Sequence, residues 1–200
     1  MATSVAIANA GLIKVGEDTI SSFTAGTAEA NFINSRYDEI RRSLLESHTW
    51  NFAVKRVKLA QLSAVPVSEF DFFYALPSDF IRSVLVHDND AGTGAVLHRV
   101  EDNKVACSAS EVWLKYIYDV TDPNSMTPLF REALSCKIAM EAAVNLAGSN
   151  TLYELMREEF ERANRRARSA DSMSDFPDRL PVGSWATSRH GRVGGRSWPW

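Results

Sequence analysis

The sequence predicts an α+β fold: a four-helix bundle core, an inserted antiparallel β region and an extended C-terminal arm. Three observations predict it. Apolar residues recur at helical spacing in two stretches, 4–48 and 127–170, while the residues between them alternate with a period of two. The last stretch, from Met173, shows neither period. The expected division is therefore a helical bundle from 1–53 and 121–172, a β region over 54–120, and an arm over 173–200.

Composition sets the frame. The chain has 200 residues, 45% hydrophobic and 24% charged, which is an ordinary globular balance. That length suffices for one sizeable core with a projecting lobe. No stretch approaches the roughly 18 apolar residues of a membrane span, and the N-terminus lacks the basic start and apolar run of a signal peptide. Cys107 and Cys136 are too few for a disulfide framework, which points to a reducing site of synthesis. A net charge of −3 and a pI of about 5.8 argue against tight, salt-dependent nucleic-acid binding.

Each element has its own signal. Ser4–Val15 places Val5, Ala8, Leu12 and Val15 on one face, with Gly16 as the residue that ends the helix. Thr27 caps a second helix predicted to run to about His48, with Phe32, Ile33, Tyr37, Ile40, Leu44 and Leu45 on its apolar side. Residues 54–61 then alternate as a strand with Val57 and Leu59 facing inward. Residues 72–76 are aromatic and β-prone, Pro77-Ser78-Asp79 breaks the pairing, and 81–87 resume it. The run 88–94 is dense in turn residues and leads into a strand over 96–100. In 111–120, Val112, Leu114, Tyr116 and Tyr118 share one side, and Trp113 and Ile117 the other.

Helix returns at Thr127-Pro128, an N-cap with proline at the first helical position. From Leu129 to Ala147 the polar strip is only Lys137, Glu141 and Asn145 wide, so a buried helix is expected, ended by Gly148. Thr151 and Glu154 read as a capping box opening the last helix. Its apolar stripe is Leu152, Leu155, Met156, Phe160, Ala163, Ala167 and Ala170. Trp50 and Phe52, just past the second helix, are placed to plug the end of the bundle.

The sequence carries little reactive chemistry. His48, His87, His98 and His190 have no helical ligand spacing, and neither cysteine has a nearby partner, so no metal or cofactor site is expected. His87-Asp88-Asn89-Asp90 lacks the twelve-residue calcium loop pattern. Gly92-Thr93-Gly94 lacks the lysine and the third glycine of a phosphate loop. No G-x-S-x-G elbow is present. Glu158 and Glu159 read as ion-pair partners of Arg162 and Arg165. An enzyme is not expected. A DNA-binding or packaging accessory protein is the alternative reading, carried by Arg157, Arg162, Arg165, Arg166 and Arg168 on the last helix, although interleaved glutamates partly cancel that field.

Several phrases carry a resemblance. Trp50-Asn51-Phe52-Ala53 follows a long helix. Then come Leu59, Phe73-Tyr74-Ala75-Leu76-Pro77-Ser78-Asp79-Phe80-Ile81-Arg82, and Leu114-Lys115-Tyr116-Ile117-Tyr118-Asp119. Pro128-Leu129-Phe130-Arg131-Glu132-Ala133-Leu134 closes the series before the apolar helix. In this order, over residues 5–170, they resemble the tail tubular protein A family, the head-to-tail adaptor of short-tailed bacteriophages. The resemblance implies a virion tail protein made in the bacterial host cytoplasm. It implies a homo-oligomeric ring of twelve copies between the portal protein and the tubular nozzle protein. Double-stranded DNA would pass through the channel without sequence-specific binding. A ring built from repeated head-to-tail contacts uses two different faces of each subunit. With the arm at +2 the remaining body is −5, which suits a channel that a polyanion must slide through.

Residues after Met173 match no phrase of that family. They hold three of the five tryptophans and four arginines, large anchors with no core of their own to enter. Trp and Arg dominate interface hot spots. Phe176, Arg179, Trp185, Arg189, Arg192, Arg196, Trp198 and Trp200 are accordingly the expected portal-interface residues, with a neighbouring adaptor copy as the rival partner. The terminal Trp-Pro-Trp lacks the long apolar face that membrane insertion needs. Asp88, Asn89, Asp90 and Thr93, in the loop 88–94, are the expected nozzle- or subunit-contacting residues, and the loop 63–69 is a second contact candidate.

Overall fold

The computed structural model describes residues 2–67, 69–89 and 95–174. Among these the elements run α1 (Ser4–Val15), α2 (Ala28–Glu46), β1 (Val54–Lys58), β2 (Phe72–Ala75), β3 (Phe80–His87), β4 (His98–Glu101), β5 (Lys104–Cys107), β6 (Trp113–Tyr118), α3 (Pro128–Asn145) and α4 (Asn150–Met173). The chain is thus an α+β protein with four helices and two small antiparallel sheets among the described residues.

The helix starts are chemical. Thr3, Thr27 and Thr127 each turn a hydroxyl oxygen onto the backbone N–H three residues on, satisfying a donor the first turn leaves unpaired. Gly16, at φ 80°, ends α1 in the left-handed conformation that glycine adopts without a Cβ penalty. Several boundaries differ from the sequence expectation. Helix α3 stops at Asn145 with Leu146 as its cap, short of Ala147 and not at Gly148. Helix α2 stops at Glu46, two residues short of His48. Helix α4 is capped by Ser149, whose hydroxyl accepts from Leu152 N at 3.3 Å, so Thr151 lies inside the helix and opens no capping box. Gly148 at φ 59° turns the chain, and Ser149 follows it in an extended conformation, which aims its hydroxyl at the helix end. Helix α4 also takes in Met173, the residue at which the arm was expected to begin.

Helix α3 is the central element. Phe130, Ala133, Leu134, Ile138, Ala139, Ala142 and Ala143 are all buried, and α1, α2 and α4 each pack on it. The core they share also takes in Leu12, Ile33, Tyr37, Leu44, Met156 and Ala167. Gly11 marks the closest approach of α1 to α3: a methyl group there would lie 2.8 Å from the Ser135 carbonyl oxygen and 2.9 Å from Ile138 Cγ2. Trp50 is fully buried, packs edge-on to Phe130 at 5.0 Å, and donates its indole N–H to the Leu44 carbonyl at 3.0 Å. Phe52 meets Phe130 at the same distance, so the two aromatics close this core as their position suggests.

The β region forms two three-stranded sheets, β1-β6-β3 and β2-β5-β4. Central strand β6 serves two cores, because side chains alternate across a strand. Ile117 enters the helical core, whereas Leu114 and Tyr116 enter a second one with Leu59, Tyr74, Val86, Val105, Cys107 and Val112. Leu59 is buried and Val57 packs against it, the inward pair the alternation predicts. Strand β5 has no counterpart in the sequence reading. It pairs with β4 through a two-residue turn in which Asp102 and Asn103 have φ of 45° and 56°, the hand that matches strand twist. The fourth expected strand, 96–100, is shifted to His98–Glu101 by the same hairpin.

Two further expectations are corrected. Leu155 is 57% exposed and is not part of the buried stripe of α4. Glu158 and Glu159 do not pair with Arg162 and Arg165: Glu159 lies 3.6 Å from Lys14 of α1, and Arg165 pairs with Glu161 at 3.8 Å.

Candidate interaction surfaces

Of the predicted contact residues, Asp88 and Asn89 fall within the described structure. They follow β3, where Asn89 Nδ2 donates to Asp88 Oδ1 at 3.0 Å and the His87 ring nitrogen Nδ1 contacts the Asn89 carbonyl. A bridge between His87 and Ala95 closes the base of this loop. Asp90 and Thr93 lie outside the described residues, as do Phe176, Arg179, Trp185, Arg189, Arg192, Arg196, Trp198 and Trp200.

The β region exposes an apolar group that the sequence reading did not name. Val67 is fully exposed, Leu97 is 82% exposed, and Val65 and Val100 are exposed beside them in sequence. An ion pair at 3.1 Å joins Arg99 of the edge strand β4 to Glu69. The Val65-Pro66-Val67 run in an otherwise polar loop was the available signal, since valine flanking proline has neither strand partner nor core period there.

The corner at Pro77-Ser78-Asp79 is fixed by more than its turn. Phe80 N donates to the Pro77 carbonyl at 3.1 Å. The Asp79 carboxylate receives Lys55 Nζ at 2.6 Å and the Tyr116 hydroxyl at 2.9 Å. Burial opposes ionisation of Asp79, but these hydrogen bonds outweigh it and hold the carboxyl below its ordinary value. Tyr116 is pushed up to about 12, by burial first and by the Asp79 carboxylate second.

At the far end of α4, Asp171 is buried and accepts from Asn51 N through both oxygens at 3.2 Å. Arg168 donates to the Ser47 carbonyl. His48 Nε2 sits 3.5 Å from Asp171, yet burial and then the Arg168 charge lower its pKa, so near neutrality the contact joins a neutral ring to a carboxylate. The segment 47–51 therefore fastens the C-terminal end of α4.

Between α3 and α4 runs a groove with two cavities that share Leu129. One, of about 310 Å³, is lined by Thr127, Pro128, Leu129, Ala167, Ala170 and Ser174 among others. The second, of about 150 Å³, is lined by Leu129, Glu132, Cys136, Ala163, Arg162 and Arg166 among others. Of the α4 arginines, Arg157 pairs with Glu154 and Glu161, and Arg165 with Glu161. Arg162 and Arg166 have no partner among the described residues.

Reactive chemistry is sparse among the described residues. No three His, Cys, Asp or Glu side chains converge there to hold a metal ion. Both thiols are free and buried, and burial pushes both up, Cys136 to about 11. No described helix is long and apolar enough to cross a membrane. Compared with known proteins, the chain matches no protein-family model and no curated protein.

Proposed function

We propose that this chain is a structural protein, not an enzyme: a head-to-tail adaptor that forms a ring, twelvefold by the family resemblance, between the portal and the tubular nozzle of a short-tailed phage. The ring encloses the channel through which double-stranded DNA leaves the virion. Its four helices act as one bundle that carries the ring, the β region projects toward the next tail component or the neighbouring copy, and the C-terminal arm clasps the portal. The ordered resemblance across residues 5–170 carries the reading. It is supported by exposed Val100 on the edge strand of the second sheet and exposed Val65, Val67 and Leu97 in the neighbouring stretches of chain, since apolar side chains left bare are what an interface covers.

Negative-stain microscopy of the purified protein, alone and mixed with portal, tests this. Closed rings, or collars on the portal, are expected. A monomer that leaves the portal bare and shifts duplex DNA in a gel at physiological salt would refute it and favour a DNA-packaging accessory.

A further inference from the structure

We propose that the outer face of the sheet β1-β6-β3 is a docking surface for the acidic α1–α2 loop of a second copy of this chain, in a head-to-tail contact. The inference rests on the ring-forming part of the reading above, for which it names the subunit contact. The register of the sheet builds the surface. On the face that turns Val54 and Ile117 toward the helical core, the next row is Arg56 opposite Lys115, and the row after it is Lys58 opposite Trp113. The bundle covers the first row only: Arg56 and Lys58 are exposed, and Lys115 and Trp113 partly so. Like charges set directly opposite on a sheet are destabilising. Neither Arg56 nor Lys115 has an ion pair among the described residues to offset this, whereas Lys58 meets Glu111 at 2.7 Å. A sheet that keeps two uncompensated cations face to face beside a tryptophan ring is suited to an anionic partner.

The chain carries the matching charge at its other end. From Val15 to Ser35 it holds Glu17, Asp18 and Glu29 and no lysine or arginine. None of these three carboxylates has an ion-pair partner among the described residues. Helix α2 separates the two poles. It runs antiparallel to α3, with Arg36 on Glu141 at 3.0 Å toward one end and Trp50, just past the other end, on Phe130 at 5.0 Å. Its 19 residues are about 28 Å long at about 1.5 Å per residue, so one copy cannot bring its loop to its own sheet. A second copy can, and the contact uses two different faces, the arrangement from which rings close. The shape agrees. At its tip the loop exposes the small residues Thr24, Ala25 and Gly26, with Gly26 at φ 77° and open space around it, so it can come down flat on the sheet. A nucleic acid fits less well. Duplex DNA carries one charge per about 1.7 Å of axis. The cations of β1 span only about 7 Å and Glu111 borders them, so a long polyanion would overrun the patch onto an acid.

The test is sedimentation velocity of the full-length chain over a concentration series, with carbodiimide cross-linking of lysines to carboxylates. The wild-type chain should self-associate, more weakly as salt rises. Cross-links at dimer mass should join Lys58 or Lys115 to Glu17, Asp18 or Glu29. Arg56→Glu with Lys115→Glu, or Glu17→Lys with Asp18→Lys, should each weaken association about tenfold. An equimolar mixture of these two variants, in which each reversed face meets its complement, should associate as the wild type does. Lys115→Glu alone sets opposite charges face to face, so it should raise Tm while still weakening association, a trade that a purely structural pair would not show. A chain monomeric at every concentration, association indifferent to either reversal, or a mixture that stays apart would each overturn the proposal. Binding of a DNA duplex at physiological salt that the sheet reversal abolishes would do so as well. Rings, or collars on the portal, that form whatever the charge of these faces would overturn it too and leave the adaptor reading standing.

Discussion

Replacing Gly11 with alanine sets helix propensity against packing, and the geometry decides the sign. Alanine is favoured over glycine inside a helix by about 1 kcal/mol, so an unconstrained α1 would be stabilised. Gly11, however, is buried against α3, and the added methyl would meet the Ser135 carbonyl oxygen at 2.8 Å, Ile138 Cγ2 at 2.9 Å and Ile138 Cβ at 3.0 Å. Two of these three atoms are backbone or directly attached to it. Ile138 is fully buried and β-branched, so it has no open rotamer to retreat into. Helix α1 must therefore move away from α3 by a few tenths of an ångström, loosening Ala8, Leu12 and Val15 on the same face. Overpacking costs about 1–3 kcal/mol. Contacts of 2.8–3.0 Å with a backbone oxygen and a buried β-branched side chain put this site in the upper part of that range, about 2–3 kcal/mol. A net loss of about 1–2 kcal/mol is expected, which lowers Tm by about 2–8 °C for a chain of this size. Thermal unfolding followed by circular dichroism measures it. In a double-mutant cycle, Gly11→Ala and Ile138→Ala together should cost less than the sum of the two alone, because the second substitution removes one clashing atom. A Gly11→Ala protein as stable as the parent would refute the close approach of α1 to α3.

Leu134→Asp, which puts a charge into the fully buried centre of α3, should cost at least about 4 kcal/mol, and urea unfolding with an unshifted midpoint would count against the shared helical core. Arg41 is buried, with Nη1 2.8 Å from Asp119 and 2.5 Å from the Val120 carbonyl, and Arg41→Met should lower stability by about 3 kcal/mol in the same assay. His48 titrates below its ordinary value in the folded chain, so as pH falls below about 6.5 the unfolded chain takes up the proton first and stability declines. His48→Gln should flatten the midpoint-against-pH curve in that window, and an unchanged slope would assign the effect elsewhere. Val67→Asp with Leu97→Asp should leave Tm within about 1 °C, since both side chains are exposed, while abolishing nozzle attachment in an assembly assay. A chain lacking residues 175–200 should keep its helicity yet fail to co-sediment with portal, and equal co-sedimentation would refute the clasp.

What the sequence determined by itself was local. Thr27 and Thr127 cap helices, Gly16 ends one, and Pro77 breaks a strand, because each outcome depends on atoms within about four residues. The alternation in 111–120 likewise separates Leu114 and Tyr116 from Ile117, since the period of a strand is set by its own backbone. Other features needed neighbours distant in sequence. Nothing near Arg41 marks it as buried; its partners Asp119 and Val120 arrive from the end of β6, almost eighty residues away. Gly11 reads as a mild fault in a helix until Ser135 and Ile138 of α3 are brought against it. Strand β5 is too short and too mixed to announce itself, and pairing on both sides with β2 and β4 is what makes it a strand. The α3/α4 groove exists only because two helices that each look complete along their own sequence leave space where small side chains meet, and no single-helix pattern encodes a space between two helices.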